Sequence, residues 1–304
     1  MLNPILSFSA IRRMRTFRTM LIVIAYEAAL LVLAMAISGG FLKDELYLSM
    51  MQRGPLCYAV LLGAQFVMIF LIAPAMTSGA VAGERERQTL DLLLVTNTGS
   101  FRIITGKILE SFALLALLII CAVPVECLCL MTGGITILQI LTGTLFLLAV
   151  ALACSAAGVF CSSMCRSTVV SGVMSYIVLL GIGVVTALPF VFGYPQRITD
   201  VVYDAEQYAE LTPAGARAMI PALLYLNPGF GLLSLIQGQL HVLTGYMTGH
   251  GWGRIYCTWL MMDRADCGMI AVICAGGLVL VSAALAGGAA LLIRRRAQTA
   301  KSCE

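Results

Sequence analysis

The chain has 304 residues, 60% of them hydrophobic and only 11% charged, whereas ordinary soluble domains carry about a quarter charged residues. That balance excludes a water-soluble globular protein and predicts an integral membrane protein. The formal net charge of +4 calls for no nucleic-acid partner, because the basic residues cluster at the edges of apolar runs, where they meet anionic lipid.

Residues 1–19 are basic and amphipathic. On a helical wheel Leu6, Ala10, Met14 and Phe17 share one face, while Arg12, Arg15 and Arg18 share the opposite one. Two readings stay open: a helix lying along the inner leaflet with these arginines as anchors, or a basic flank that only sets topology. The first apolar run lacks a small-residue cleavage site, so its span is expected to remain in the protein.

A span needs about 20 apolar residues, since a helix rises about 1.5 Å per residue across roughly 30 Å of hydrocarbon. Six windows qualify, near 20–37, 56–78, 108–131, 135–161, 168–192 and 268–293. The first is apolar except for Glu27, and no charge falls between Arg53 and Glu84, between Arg166 and Arg197, or between Asp266 and Arg294. The apolar stretch from Ile108 to Arg166 is too long for one helix, and Thr132, Gly133 and Gly134 supply the break. The expected fold is all-α, one membrane domain over 1–304.

Arg12, Arg13, Arg15, Arg18, Arg85, Arg87, Arg102, Lys107, Arg166, Arg294, Arg295, Arg296 and Lys301 fall on one side of these spans, 13 of the 19 basic residues. By the positive-inside rule both termini are cytoplasmic. The loop 79–107 is then cytoplasmic, and 193–267 faces outward.

Seven charged side chains crowd between Glu84 and Lys107. From Glu84 no Gly or Pro interrupts the chain until Gly99, which predicts a short helix. Leu90, Leu93 and Leu94 share a face, with Glu86 one turn earlier, an apolar patch suited to a protein groove. Asn97 to Ser100 read as a turn, with Ser100 capping the third span. A Glu-Arg-Glu-Arg run alone would be read as a solvated loop.

The string from Glu84 to Arg87, with Thr89 to Leu94, Thr96 to Ser100 and Gly106 to Leu109, closely resembles the first cytoplasmic loop of permease subunits of type II ATP-binding-cassette (ABC) exporters. Asn3-Pro4-Ile5-Leu6 and the arginines after it resemble that family's cytoplasmic elbow helix. The specific motifs cover only about residues 3–18 and 83–109. The resemblance implies a coupling helix in which Glu84, Arg85, Glu86, Arg87, Thr89, Leu90, Asp91, Leu93 and Leu94 engage a separate ATPase subunit. It also implies a dimer with an identical or similar permease, in a bacterial cytoplasmic membrane.

ATP and magnesium would then belong to the partner, and no cofactor to this chain. A phosphate-cradling loop needs G-x-x-x-x-G-K-[ST]. Here Gly99 stands too far from Gly106-Lys107, and Ile108 occupies the hydroxyl position. The largest inner loop is also too short for an ATPase domain.

Glu27 and Glu126 lie inside spans, where a carboxylate is costly enough to be a functional candidate. Both are candidate translocation-path residues, and Pro124 bends the helix next to Glu126. The structural alternative is that each is protonated, hydrogen-bonded to a neighbouring span or near enough to the interface to reach water. Glu110, at the inner boundary, is expected in solvent.

The 11 cysteines lie mostly in spans, where they act as small apolar residues. No Cys-x-x-Cys occurs and only His241 and His250 are present, so no metal site is expected. Cys257 and Cys267 both face outward, bridged in an oxidising habitat or free in a reducing one. The same two histidines and the lack of a G-x-S-x-G elbow disfavour an intramembrane hydrolase.

In the outward segment, Asn227-Pro228-Gly229 marks a turn between two apolar stretches, predicting a pair of short helices ahead of the last span. Two other functions fit the composition: a proton- or cation-coupled secondary transporter using Glu27 and Glu126, and a non-transporting sensor or immunity subunit.

Overall fold

The computed structural model describes residues 17–38, 50–88, 99–131, 133–203, 222–240 and 264–301, and all regular structure among them is helical. In chain order the helices are α1 (Phe17–Ser38), α2 (Met50–Thr77), α3 (Ala82–Glu86), α4 (Ser100–Met131), α5 (Ile137–Met164) and α6 (Thr168–Tyr203). A 3-10 turn (Ala222–Leu226), α7 (Pro228–Leu240) and α8 (Arg264–Lys301) follow.

Six of these are long and apolar enough to cross a membrane, with windows Met20–Ile37, Gly54–Glu86, Ser100–Met131, Ile137–Met164, Thr168–Thr186 and Gly268–Ile293. They match the six windows read from the sequence. The second window outruns its helix, since α2 stops at Thr77 and the short α3 follows a turn.

The break between α4 and α5 falls where glycine demands it. Gly133 and Gly134 have φ of 81° and 82°, the left-handed region that a side chain resists. Past them the Thr136 amide donates to Gln139 Oε1 at 2.7 Å, closing the first turn of α5.

Helix α5 is the spine. Of its window 56% is buried, against 17% for those of α1 and α6, so α5 occupies the centre and α1 and α6 lie at the rim. It packs on α2, α4, α6 and α8, and its buried face is built largely from Gly143, Ala151, Ser155, Ala156, Ala157, Gly158 and Ser162. Small residues let helix backbones approach, which supplies packing where lipid removes the hydrophobic drive for association.

The approach of α2 is the tightest. A Cβ on Gly143 would sit 2.1 Å from Tyr58 Oη, and one on Gly158 only 1.9 Å from Thr77 Oγ1. Neither neighbour is free to retreat. Tyr58 donates to the Gln139 carbonyl at 2.9 Å, and Thr77 to the Ala73 carbonyl at 2.8 Å.

The Asn-Pro-Gly signal is the start of α7. Asn227 Oδ1 accepts from the amides of Gly229 (2.8 Å) and Phe230 (3.3 Å), and Pro228 occupies the first helical position, where its missing N–H costs nothing. Asn227 Nδ2 donates to the Gly183 carbonyl of α6 at 3.0 Å. Phe230, Leu232, Leu235 and Ile236 then enter the same core as α5 and α8, so the second apolar stretch is a packed helix of the bundle.

Two expectations change. Helix α6 runs on to Tyr203 rather than ending near 192, because the polar residues after Tyr194 end the apolar run without ending the helix. Helix α4 begins at Ser100, with the Gly99 carbonyl accepting from Arg102 (2.9 Å) and Ile103 (3.3 Å); Gly99, one position before the expected cap, is the boundary residue.

Gly158→Ala should lower the thermal stability of the purified protein by about 1–3 kcal/mol, the cost of overpacking a closed interface. Gly63→Ala in α2, where an added Cβ meets nothing within 4 Å, should not. Melting curves of the two variants in detergent check the contrast.

Candidate functional site

Two groups of polar side chains stand out in this apolar bundle. One is the charged turn between α2 and α4, and the other is buried among α1, α2 and α4.

The charged turn sits at the end of the bundle where α4 and α6 begin and α5 ends. Ala80, Val81, Ile104, Ile108 and Val159 form a small second core there with Ala286, Ala289 and Ile293 of α8. Helix α3 has only five residues, so its amides find no carbonyl ahead of them in their own helix. Ser162 of α5 supplies the acceptor. Its Oγ receives the amides of Val81 and Ala82, each at 3.0 Å, and donates to the Ser78 carbonyl at 2.9 Å.

The next three residues fasten outward from that point. Glu84 pairs with Lys107 of α4 at 2.5 Å. Arg85 donates through Nη1 to the Cys165 carbonyl and through Nη2 to that of Ser163, 3.2 Å away, at the carboxyl end of α5. Glu86 accepts from the Thr168 amide at 2.9 Å and from its hydroxyl at 3.1 Å, at the start of α6.

The signs match the helices. A cation lies at the negative end of α5, an anion at the positive end of α6, and each side chain meets a backbone group that its helix cannot satisfy. Charge alternation in Glu84-Arg85-Glu86 was visible in the sequence, but the partners of Arg85 and Glu86 lie about 80 residues away, which no local pattern reveals.

Arg87 and Gln88 are exposed, and Gln88 has φ of 57°. The helix expected to continue from Glu84 therefore ends at Glu86. Thr89, Leu90, Asp91, Leu93 and Leu94 lie outside the described residues, as do Arg12 and Arg15; Arg18 lies in the first turn of α1, with its side chain outside the described set. Cys257 and the Cys267 side chain are outside it too.

In the second group Glu126 and Gln65 are 1% and 0% exposed. Gln65 Nε2 donates to Glu126 Oε1 at 2.6 Å. Glu27, half-buried on α1, lies within electrostatic range of Glu126. The structure thus brings the two sequence candidates to one region and adds Gln65, which sequence reasoning passed over because an uncharged amide in a span breaks no hydropathy rule. Glu110, expected in solvent, is buried at 7% exposure, on a stretch of α4 whose Ile104 and Ile108 pack against α5 and α8.

Among the described residues no group of three or more His, Cys, Asp or Glu could hold a metal ion. The chain matches no protein-family model and no curated protein.

Ser162→Ala should strand the Val81 and Ala82 amides, and a buried donor without a partner costs about 1–3 kcal/mol. Ser171 is equally buried, yet its hydroxyl has no partner, so Ser171→Ala should be neutral or stabilising. Thermal melts of the two alanine variants read the difference.

Proposed function

We propose that this chain is the permease subunit of an ATP-driven exporter of the type II ABC class, dimerising with an identical or similar permease above two ATPase subunits. The observation that carries the reading is the attachment of the 79–88 turn. Ser162, Arg85, Glu86 and the Glu84–Lys107 pair tie it to α4, α5 and α6 at once.

A turn fastened in this way is suited to act as a lever. A force applied by a partner at residues 89–94 would reach the ends of three spans and, through Ser78, the end of α2. A loop that was only solvated would dissipate the same force. The basic residues of this end, among them Arg85, Arg87, Arg102, Lys107 and Arg166, support a cytoplasmic side by the positive-inside rule, where an ATPase would reside.

The rim helices α1 and α6, with windows 17% buried, leave lateral surface for lipid and a second permease. The substrate path would run between the two copies. ATP and magnesium stay in the partner, and this chain couples their chemistry to movement without catalysing it.

The reading predicts that an ATPase subunit co-purifies with the full chain, and that Leu90→Asp with Leu93→Asp lowers the association at least about tenfold, or about 1.4 kcal/mol. Undiminished association in a folded double variant would remove the leucine face from the coupling role. Transport by the chain alone in vesicles, without nucleotide, would remove the exporter reading.

A further inference from the structure

Three buried oxygens from three helices have no hydrogen-bond donor: Glu27 Oε1 on α1, Gln65 Oε1 on α2 and Glu126 Oε2 on α4. The helices pack against one another pairwise. Gln65 and Glu126 are in direct contact, joined by the 2.6 Å hydrogen bond, and the nearby Glu27 interacts with Glu126 electrostatically.

Nothing described around them supplies the missing donors. The Tyr58 hydroxyl is committed to the Gln139 carbonyl. Turning the Gln65 amide over would set its oxygen against Glu126 Oε1, acceptor against acceptor. The nearest basic side chain described along α4 is Lys107, 19 positions before Glu126 and so about 28 Å along the helix axis; it is paired with Glu84.

Orphaned acceptors cost most where the dielectric is low, and two carboxyl groups with an amide oxygen present a set that only positive charge satisfies well. We propose that Glu27, Gln65 and Glu126 form an intramembrane site for a single positive charge, carried by a sodium ion or by a proton. Carboxylate and amide oxygens are the ligands hard cations take. The absence, among described residues, of any group of three His, Cys, Asp or Glu points away from a divalent or transition metal. The site does not depend on the exporter reading, since a bound cation can hold three helices together with or without transport.

The other titratable groups here are Tyr26 on α1, Cys57 and Tyr58 on α2, and Cys121, Cys127 and Cys129 on α4; elsewhere in the bundle α5 and α8 carry the buried thiols Cys154, Cys161 and Cys274. A pH response is therefore assigned to the carboxyl groups by its loss in the Glu27→Gln and Glu126→Gln variants.

The test uses the purified full chain in detergent, with melting temperature followed as sodium chloride replaces choline chloride at constant ionic strength, and separately as pH changes. Wild type, Glu126→Gln and Glu27→Gln are compared. A sodium site gives a melting temperature that climbs with the logarithm of the sodium concentration once sodium exceeds its dissociation constant. A proton site gives no sodium response but a melting temperature that falls as pH rises, since the folded state then holds the extra proton. In either case the response flattens in the variants, and Glu27→Gln decides alone if Glu126→Gln does not fold. A wild type insensitive to both sodium and pH, or a response that survives unchanged in the variants, overturns the site.

Discussion

The hydroxyl of Ser162 holds the charged end of the molecule together. It accepts the amides of Val81 and Ala82, at the start of α3, and donates to the Ser78 carbonyl that precedes them, satisfying three backbone groups that the turn into a five-residue helix at a membrane boundary leaves without helical partners. Backbone polar groups that lack partners near hydrocarbon are expensive. One side chain of α5 thus fixes the path of the chain between α2 and α4, and Arg85 and Glu86 can reach the α5–α6 turn only because that path is fixed. The Glu84–Lys107 pair is partly exposed, and such pairs contribute about 0–1 kcal/mol; it orients the turn more than it holds it.

The same economy of small side chains runs the length of α5. Gly143 meets Tyr58 near one end, Gly158 meets Thr77 near the other, and Ser162 meets the α2–α3 turn beyond. Helix α2 therefore meets α5 at two close approaches, Tyr58 and Thr77. Gln65, between these contacts, is carried to Glu126 on α4. Both the buried polar pair and the charged turn are thus joined to α2, which carries Gln65 and ends at the turn.

Much of the bundle was legible in the sequence because the bilayer imposes simple rules. Long apolar runs, two of them holding glutamates, marked all six spans, and Gly133-Gly134 marked the one break that hydropathy alone could not place. Asn227-Pro228-Gly229 marked the start of α7, since capping chemistry is local. What escaped reading was tertiary. Glu110 looked like a boundary residue, yet the bundle buries it. The uncharged Gln65 gave no signal until α4 set Glu126 beside it. Helix α3 ends at Glu86 although no Gly or Pro follows until Gly99, because Arg85 and Glu86 are drawn to the ends of α5 and α6 and Gln88 turns left-handed to leave them. The leucine face of 90–94, on which the coupling reading rests, lies outside the described residues.

The central claim is that the α2–α3 turn and the α5–α6 turn move as one body. Amide hydrogen exchange of the intact chain in detergent measures it directly, comparing wild type with Arg85→Ala, Glu86→Ala. Joint attachment predicts that exchange at 80–83 and at 165–169 rises together in the variant. Acceleration confined to one of the two segments would contradict it.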